Sequence, residues 1–193
     1  MVRQTEKLMI MKSPRKGQRP GLRVPLYNQP PCKGKGMDMT SPRIIKKCDV
    51  EKEPYLVWNT FINIVACCDM AEMNEIQKKA ALCFWYDSEV QNGGHLQYFE
   101  NTTIHGTTDY PEVVEALNWL GAKSQSEILL KAMAIRKTEE RGLIKNAFDY
   151  VARAEEGKYD ALDTEYYNCE PNMNLLFQDL IEKYQNEFVI IEE

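Results

Sequence analysis

The stretch that decides the fold of this chain is Glu89-Val90-Gln91-Asn92-Gly93-Gly94-His95-Leu96-Gln97-Tyr98-Phe99-Glu100-Asn101. Its central Asn-Gly-Gly interrupts an amphipathic segment, and glycine adopts positive φ at little steric cost, so the pattern predicts a sharp turn between two helical pieces. After the turn come polar side chains at His95, Gln97 and Asn101. Apolar bulk stands between them. We expect a turn that packs on one side, is polar on the other, and places Gly93 at positive φ.

Apolar residues recur at helical spacing on both sides of this stretch, and no segment alternates with a period of two over a useful length. Helices are expected from Pro54 onward, over 74–90, 95–101 and 109–121, from Ser124 onward, over 140–153, and from Asn172 onward. Polar loops are expected at 102–108 and in an acidic connector after Arg153. The fold class that follows is all-α, a single compact bundle of about six or seven helices.

The details of these helices can be checked individually. Asn74 is expected to be an N-cap, Pro111 to lie in a first helical turn, Gly121 to end a helix, and Ser124 with Glu127 to form a capping box. The helix over 140–153 is expected to bury one apolar stripe. That stripe consists of Leu143, Ile144, Ala147, Phe148 and Val151.

Charge divides the chain into two parts. Residues 1–47 hold twelve of the 24 Lys and Arg residues and two of the 29 acidic residues, which leaves residues 48–193 with a net charge of −15. Prolines and glycines punctuate the first part, and such a composition buries too little surface to offset the entropy of ordering. We expect a basic, disordered tail over 1–47 and an acidic all-helical domain over 48–193. A nucleic-acid-binding arm is the alternative for the tail, although Tyr27 is its only aromatic residue.

Several functional classes find no support in the sequence. No apolar run approaches the roughly 18 residues of a membrane span, and the six cysteines show no metal-binding spacing, so a cytoplasmic protein is expected. The motifs of serine hydrolases, phosphate-binding loops and dinucleotide sites are missing. His95 and His105 could join Asp87, Glu89 or Glu100 in a metal site, but their spacing does not enforce convergence. We predict no catalytic residue, cofactor or metal, and an enzyme is the less favoured reading.

Acidity is the remaining functional signal. Residues 149–193 contain twelve acidic and three basic residues. A rigid surface of this charge attracts basic proteins and repels nucleic acid, so a basic protein partner is expected and direct nucleic-acid binding is not. Acidity for solubility alone is the simpler alternative. The candidate partner-binding surface consists of Glu155, Glu156, Asp160, Asp163 and Glu165.

The central stretch resembles a family motif. Asn92, Gly93, Gly94, Gln97, Tyr98, Phe99 and Asn101 match the hallmark of a bacterial DNA-mimic-like family of small acidic helical proteins, described as a domain of unknown function. His95 stands where that family often has Phe. Weaker matches at 116–122 and 162–167 extend the resemblance over roughly residues 52–190. It implies an all-α fold, with a homodimer among the expected assemblies, and surface carboxylates that stand in for DNA phosphates.

These observations lead to one leading hypothesis with alternatives from other classes. The leading hypothesis is a non-enzymatic acidic domain that binds a basic protein, in its sharpest form a DNA mimic that occupies the DNA-binding face of a transcription factor. An immunity-type or antitoxin-like inhibitor of a basic protein would use the same electrostatics. A small-ligand or metal site at the turn, formed by His95, Gln97 and Asn101, and a purely structural module are the remaining alternatives.

Overall fold

The computed structural model describes residues 40–105, 109–138, 144 and 146–193. Across these residues the chain forms α1 (Lys47–Lys52), α2 (Leu56–Cys67), α3 (Glu75–His105), α4 (Tyr110–Leu120), α5 (Lys123–Thr138), α6 (Ala147–Glu155), α7 (Asp160–Tyr167) and α8 (Met173–Tyr184). Two short strands, β1 (Arg43–Lys46) and β2 (Val189–Glu192), pair in parallel. The prediction of an all-α fold is confirmed. Among the described helices, none has the length and apolar character needed to cross a membrane.

Helix α3 lies at the centre of the fold and contacts α2, α4 and α7. Its buried side chains include Tyr86 and Phe99, both fully inaccessible to solvent. On one flank, Phe61 of α2 packs against Phe177 of α8 and edge-on against Phe188 just before β2. The core is therefore a single aromatic-rich interior that extends along both halves of α3, as the apolar stripes predict.

Most helix ends lie where the sequence places them. The Asn74 side chain accepts hydrogen bonds from the backbone N–H groups of Ile76 and Gln77, and Asn172 caps α8 in the same manner. Pro111 lies in the first turn of α4, and Gly121 ends that helix at a φ of 90°. The predicted Ser124–Glu127 capping box is wrong, because α5 already begins at Lys123 and Ser124 is a helical residue.

The helix after the central turn is longer than expected. It continues through Thr102 to His105, where a polar loop was predicted. The Thr102 hydroxyl donates to the backbone oxygen of Tyr98, 2.8 Å away, and lies 2.9 Å from the Tyr110 hydroxyl at the start of α4. Its polar group is thus satisfied inside the helix, which removes the reason to expect a loop there. The remainder of the expected loop, residues 106–108, lies outside the described residues.

Residues before 48 take part in the fold. Residues 43–46, which were expected to belong to the basic tail, form β1, and Ile44 pairs in register with Ile190. Gln77 holds both ends of the domain, since its amide nitrogen donates to the backbone oxygens of Thr40 and Glu187 at 2.7 Å each. Because β1 and β2 lie far apart in the sequence, no local sequence pattern predicts their pairing. Residues 1–39 lie outside the described residues.

The region of α6 and α7 differs most from expectation. The predicted acidic connector includes a helix, α7, and the helix predicted over 140–153 is described as α6 from Ala147. Its expected buried stripe is wrong at three positions, because Ala147 is exposed, Phe148 is 85% exposed and Val151 is 49% exposed. Leu143 lies outside the described residues. The amphipathic pattern of α6 exists, but its larger apolar side chains face solvent.

Candidate functional site

The central turn is a kink within α3, and the unusual backbone conformation lies at its second glycine. Gly94 has φ 73° and ψ −174°, a region that is almost restricted to glycine. Gly93 has a negative φ of −158°, so the expectation of positive φ at Gly93 is wrong, although a Cβ there would overlap the Gln97 side chain. A Cβ at Gly94 would overlap the carboxylate of Asp163 in α7. Gly94 therefore permits both the kink and the close approach of α7.

His95 is the polar centre of the kink and is fully buried. Its Nδ1 lies 2.5 Å from Oδ1 of Asp163, and its backbone N–H donates to the same oxygen at 3.0 Å. Its Nε2 lies 2.9 Å from the Tyr86 hydroxyl. With Nδ1 protonated, the ring donates to Asp163 and accepts from Tyr86, so both ring nitrogens are satisfied. His95 thus joins the two halves of α3 to α7.

A second polar contact links the two halves of α3 directly. The Glu89 carboxylate, 7% exposed, accepts from the Gln97 side chain at 2.9 Å and from the Asn101 side chain at 2.7 Å. Gln97 and Asn101 are one helical turn apart, so they present their amides to one oxygen of Glu89 from the same face. The amides thus hold the kink closed.

The aromatic residues of the motif form the core beneath the kink. Leu96, Tyr98 and Phe99 are all buried. The Arg136 guanidinium lies 4.9 Å from the centre of the Phe99 ring, and its Nη1 donates to Glu100 at 3.0 Å. The Tyr98 hydroxyl is buried without a hydrogen-bond partner among the described residues. Asn92 is exposed. The motif residues that pack or bond inside the protein are Gly94, His95, Gln97, Tyr98, Phe99 and Asn101.

Asp87, a candidate metal ligand by its sequence position, is a half-buried acid near this site. It accepts a hydrogen bond from the Tyr166 hydroxyl of α7 at 2.8 Å. Burial raises the pKa of Asp87, and the hydrogen bonds from Tyr166 and Gln91 oppose that rise. The charged carboxylate therefore stands in an environment that favours its neutral form.

We expect Asp87→Asn to be at least as stable as the wild type at pH 7, because asparagine can still accept from Tyr166 without a buried charge. A raised pKa in the folded state means that ionised Asp87 opposes folding above its usual pKa of 3.8. The advantage of the variant should shrink as the pH falls through the raised pKa toward that value. Urea unfolding of both proteins across this range measures it. A variant clearly less stable at pH 7 would contradict the burial argument.

The candidate metal ligands do not converge in the described part of the chain, where no group of three or more His, Cys, Asp or Glu side chains could hold an ion. His95 is occupied by Asp163 and Tyr86, and Glu89 by two amides. His105 ends α3, and its side chain lies outside the described residues.

The five candidate acidic residues separate into two groups. Glu155, Glu156 and Asp160 are exposed around the turn from α6 to α7. The Asp163 carboxylate bonds to His95 inside the protein, so Asp163 does not lie on an exposed partner-binding surface. Glu165 is exposed but pairs with Lys131 of α5 at 2.9 Å. Sequence reasoning missed the roles of Asp163, Tyr86 and Arg136, whose partners lie on other helices or on the far side of the kink.

The exposed group lies on a tightly defined turn. Gly157 has a φ of 62°, and its backbone oxygen accepts from the N–H of Asp160 at 3.2 Å. A Cβ at Gly157 would lie 2.9 Å from the Asp160 carboxylate. We call Glu155, Glu156 and Asp160 on this turn the acidic turn. Its three exposed side chains lie within six residues of the chain, on either side of Gly157.

Comparison with known proteins gives one match. The family model described as DMP19-like protein matches residues 71–187, more than half of the 193 residues. No curated protein and no solved structure matches the chain. The matched region runs from the residues just before α3 to the end of α8, and so contains both the kink and the acidic turn. On this evidence of sequence, the chain belongs to the DMP19-like protein family.

Proposed function

We propose that this protein is a non-enzymatic protein-binding domain that uses the acidic turn to bind a basic protein. The observation that supports the proposal most directly is the grouping of Glu155, Glu156 and Asp160, all exposed, within six residues of one glycine-defined turn. Three carboxylates within six residues of one turn place negative charge at one site on the surface, which attracts a cationic surface.

The positive charges nearby are already engaged. Lys158 pairs with Glu156 at 2.7 Å, and Arg153 lies 3.6 Å from Glu100. The hydrogen bond from Lys158 lowers the pKa of Glu156, so this carboxylate stays ionised across the physiological range. With twelve acidic and three basic residues over 149–193, the local field is strongly negative. Such a field accelerates encounters with basic proteins and disfavours nucleic acid.

The sharpest form of the proposal is DNA mimicry. Arginine pairs with carboxylates and with phosphates in similar bidentate geometry, so an array of carboxylates can occupy an arginine-rich DNA-binding face. A toxin-like or other basic protein inhibited by the same surface is the second candidate, because charge does not distinguish the two targets. A ligand or metal site at the turn of α3 gains no support, since His95, Gln97 and Asn101 all bond to neighbouring protein groups.

The test compares two variants with the same net charge. The full chain and the triple variant Glu155→Lys/Glu156→Lys/Asp160→Lys are used to capture proteins from native lysate, with elution by a salt gradient. The matched control is Glu51→Lys/Glu53→Lys/Glu72→Lys, which reverses three exposed acidic residues elsewhere. We expect the first triple to weaken capture of the basic partner by at least about tenfold and the control to change it by less than about threefold.

Duplex DNA then separates the two candidates. Release of the partner by added duplex DNA supports mimicry of DNA, because both ligands would compete for one face. Retention of a toxin-like partner in the presence of DNA supports the inhibitor alternative. If both triple variants weaken capture equally, net charge and not the acidic turn controls binding, and the proposal fails.

A further inference from the structure

Helix α6 has two distinct faces. Tyr150 and Arg153, three residues apart, face the rest of the protein: Tyr150 packs against the core and Arg153 reaches Glu100 in α3. Burial raises the pKa of the Tyr150 hydroxyl, which agrees with its inward position. These two side chains hold α6 in place although none of its residues is fully buried.

The opposite face of α6 is apolar and unoccupied by any described residue of the chain. Phe148 is 85% exposed and Val151 is 49% exposed, and Ala152 is also exposed. Glu155 falls on the same side, because it follows Phe148 by seven residues, or about two helical turns. We call Phe148, Val151 and Ala152 the α6 ridge. It leads directly into the acidic turn.

We propose that the α6 ridge and the acidic turn form one docking surface for a basic amphipathic segment of the partner, with the apolar residues of that segment on Phe148 and Val151. Phe148 and Val151 are neighbours on one exposed helix face, and adjoining exposed apolar side chains are typical of protein interaction sites. The carboxylates at the end of the ridge determine the chemistry of the occupant: its apolar residues must be accompanied by Lys or Arg.

This inference rests on the proposed function and adds a feature that can fail separately. If the partner bound through charge alone, the α6 ridge would contribute nothing to the affinity and any cationic polypeptide would bind. If the ridge is used, binding depends on apolar side chains at one face of the ligand. Desolvation of Phe148 and Val151 by the ligand would also strengthen the adjacent charge pairs by excluding water.

The probe is a fluorescein-labelled helical peptide of about 14 leucine and lysine residues, roughly four turns, with its leucines along one face. Its control is a peptide of identical composition with the leucines distributed around the helix. Fluorescence anisotropy with the full chain measures affinity for both. The variants are Phe148→Ala/Val151→Ala and the charge-reversed acidic turn. The matched control is Ile44→Ala, which removes an apolar side chain that is 64% exposed on β1.

We expect Phe148→Ala/Val151→Ala to weaken binding of the amphipathic peptide by about tenfold or more and to leave its thermal transition unchanged, since both side chains are exposed. Ile44→Ala should change binding by less than about twofold. Loss of binding on charge reversal alone, with the ridge variant like wild type, overturns this inference and leaves the proposed function in place. If neither variant weakens binding of the peptide, both this inference and the proposed function are overturned. A wild-type dimer that the ridge variant converts to a monomer in sedimentation would show that a second copy occupies the ridge, which also overturns the inference.

Discussion

Replacing Gly94 with alanine is expected to lower the free energy of unfolding by about 3 kcal/mol or more. Two causes combine. The conformation of Gly94, at φ 73° and ψ −174°, strains any residue with a Cβ, and that Cβ would overlap the Asp163 carboxylate. Either the kink opens or Asp163 leaves His95. Chemical unfolding gives the free energy, and a loss of this size should also lower the melting temperature by roughly 6–12 °C.

Gly121→Ala is the matched control for this variant. Gly121 also has positive φ, at 90°, but the nearest atom to an added Cβ is a Leu176 methyl carbon 3.9 Å away. Its cost should be the backbone strain alone, about 1–2 kcal/mol. The cost of Gly94→Ala should also fall in an Asp163→Ala background, where the overlapping carboxylate is missing. Equal costs for the two glycine variants would show that the approach of Asp163 to Gly94 does not matter.

Replacing Asp163 with alanine is expected to cost about 3 kcal/mol. The substitution leaves two donors of His95, its backbone N–H and its ring Nδ1–H, without the oxygen that accepts from both. His95 is fully buried, so the ring cannot turn to solvent without breaking its contact with Tyr86. Asp163→Asn retains an acceptor and should recover part of the loss. Urea unfolding at constant pH measures all three proteins.

Asp160→Ala is the control in the same helix. Asp160 and Asp163 both lie in the first turn of α7, so their interactions with the helix dipole are similar. Asp160 is exposed, however, and its removal should cost less than about 1 kcal/mol. A similar cost for Asp160→Ala and Asp163→Ala would mean that the buried contact with His95 contributes nothing beyond the dipole.

The predictions from sequence were accurate where the cause is local. The helical periodicity, the cap at Asn74, the stop at Gly121 and the break before His95 depend on residues within one or two turns. Locating the strained glycine failed, because Asn-Gly-Gly allows either glycine to take positive φ. The close approach to Gly94 comes from Asp163, 69 residues further along the chain, and the sequence around the turn does not contain it.

The solvent exposure of the apolar side of α6 could not be predicted for a related reason. Its sequence shows an apolar stripe, and periodicity predicts that such a stripe is buried. In the fold, Tyr150 packs against the core and Arg153 pairs with Glu100. The opposite side of α6, including Phe148, therefore faces solvent. A stripe of apolar residues indicates that one face of a helix is suited to packing against other apolar groups. It does not specify whether those groups belong to the same chain or to another molecule.

By itself, the amino-acid sequence determined the all-α class, most helix positions and the charge of the domain, since these follow from local periodicity, capping and composition. Only the tertiary structure decided which acidic side chains bond to groups inside the protein and which are exposed to solvent. Asp160 and Asp163 are three residues apart in one helix, yet one is exposed and the other holds His95. The physical reason is that burial and hydrogen bonding are set by the neighbouring helix, and the sequence around an acid does not contain that neighbour.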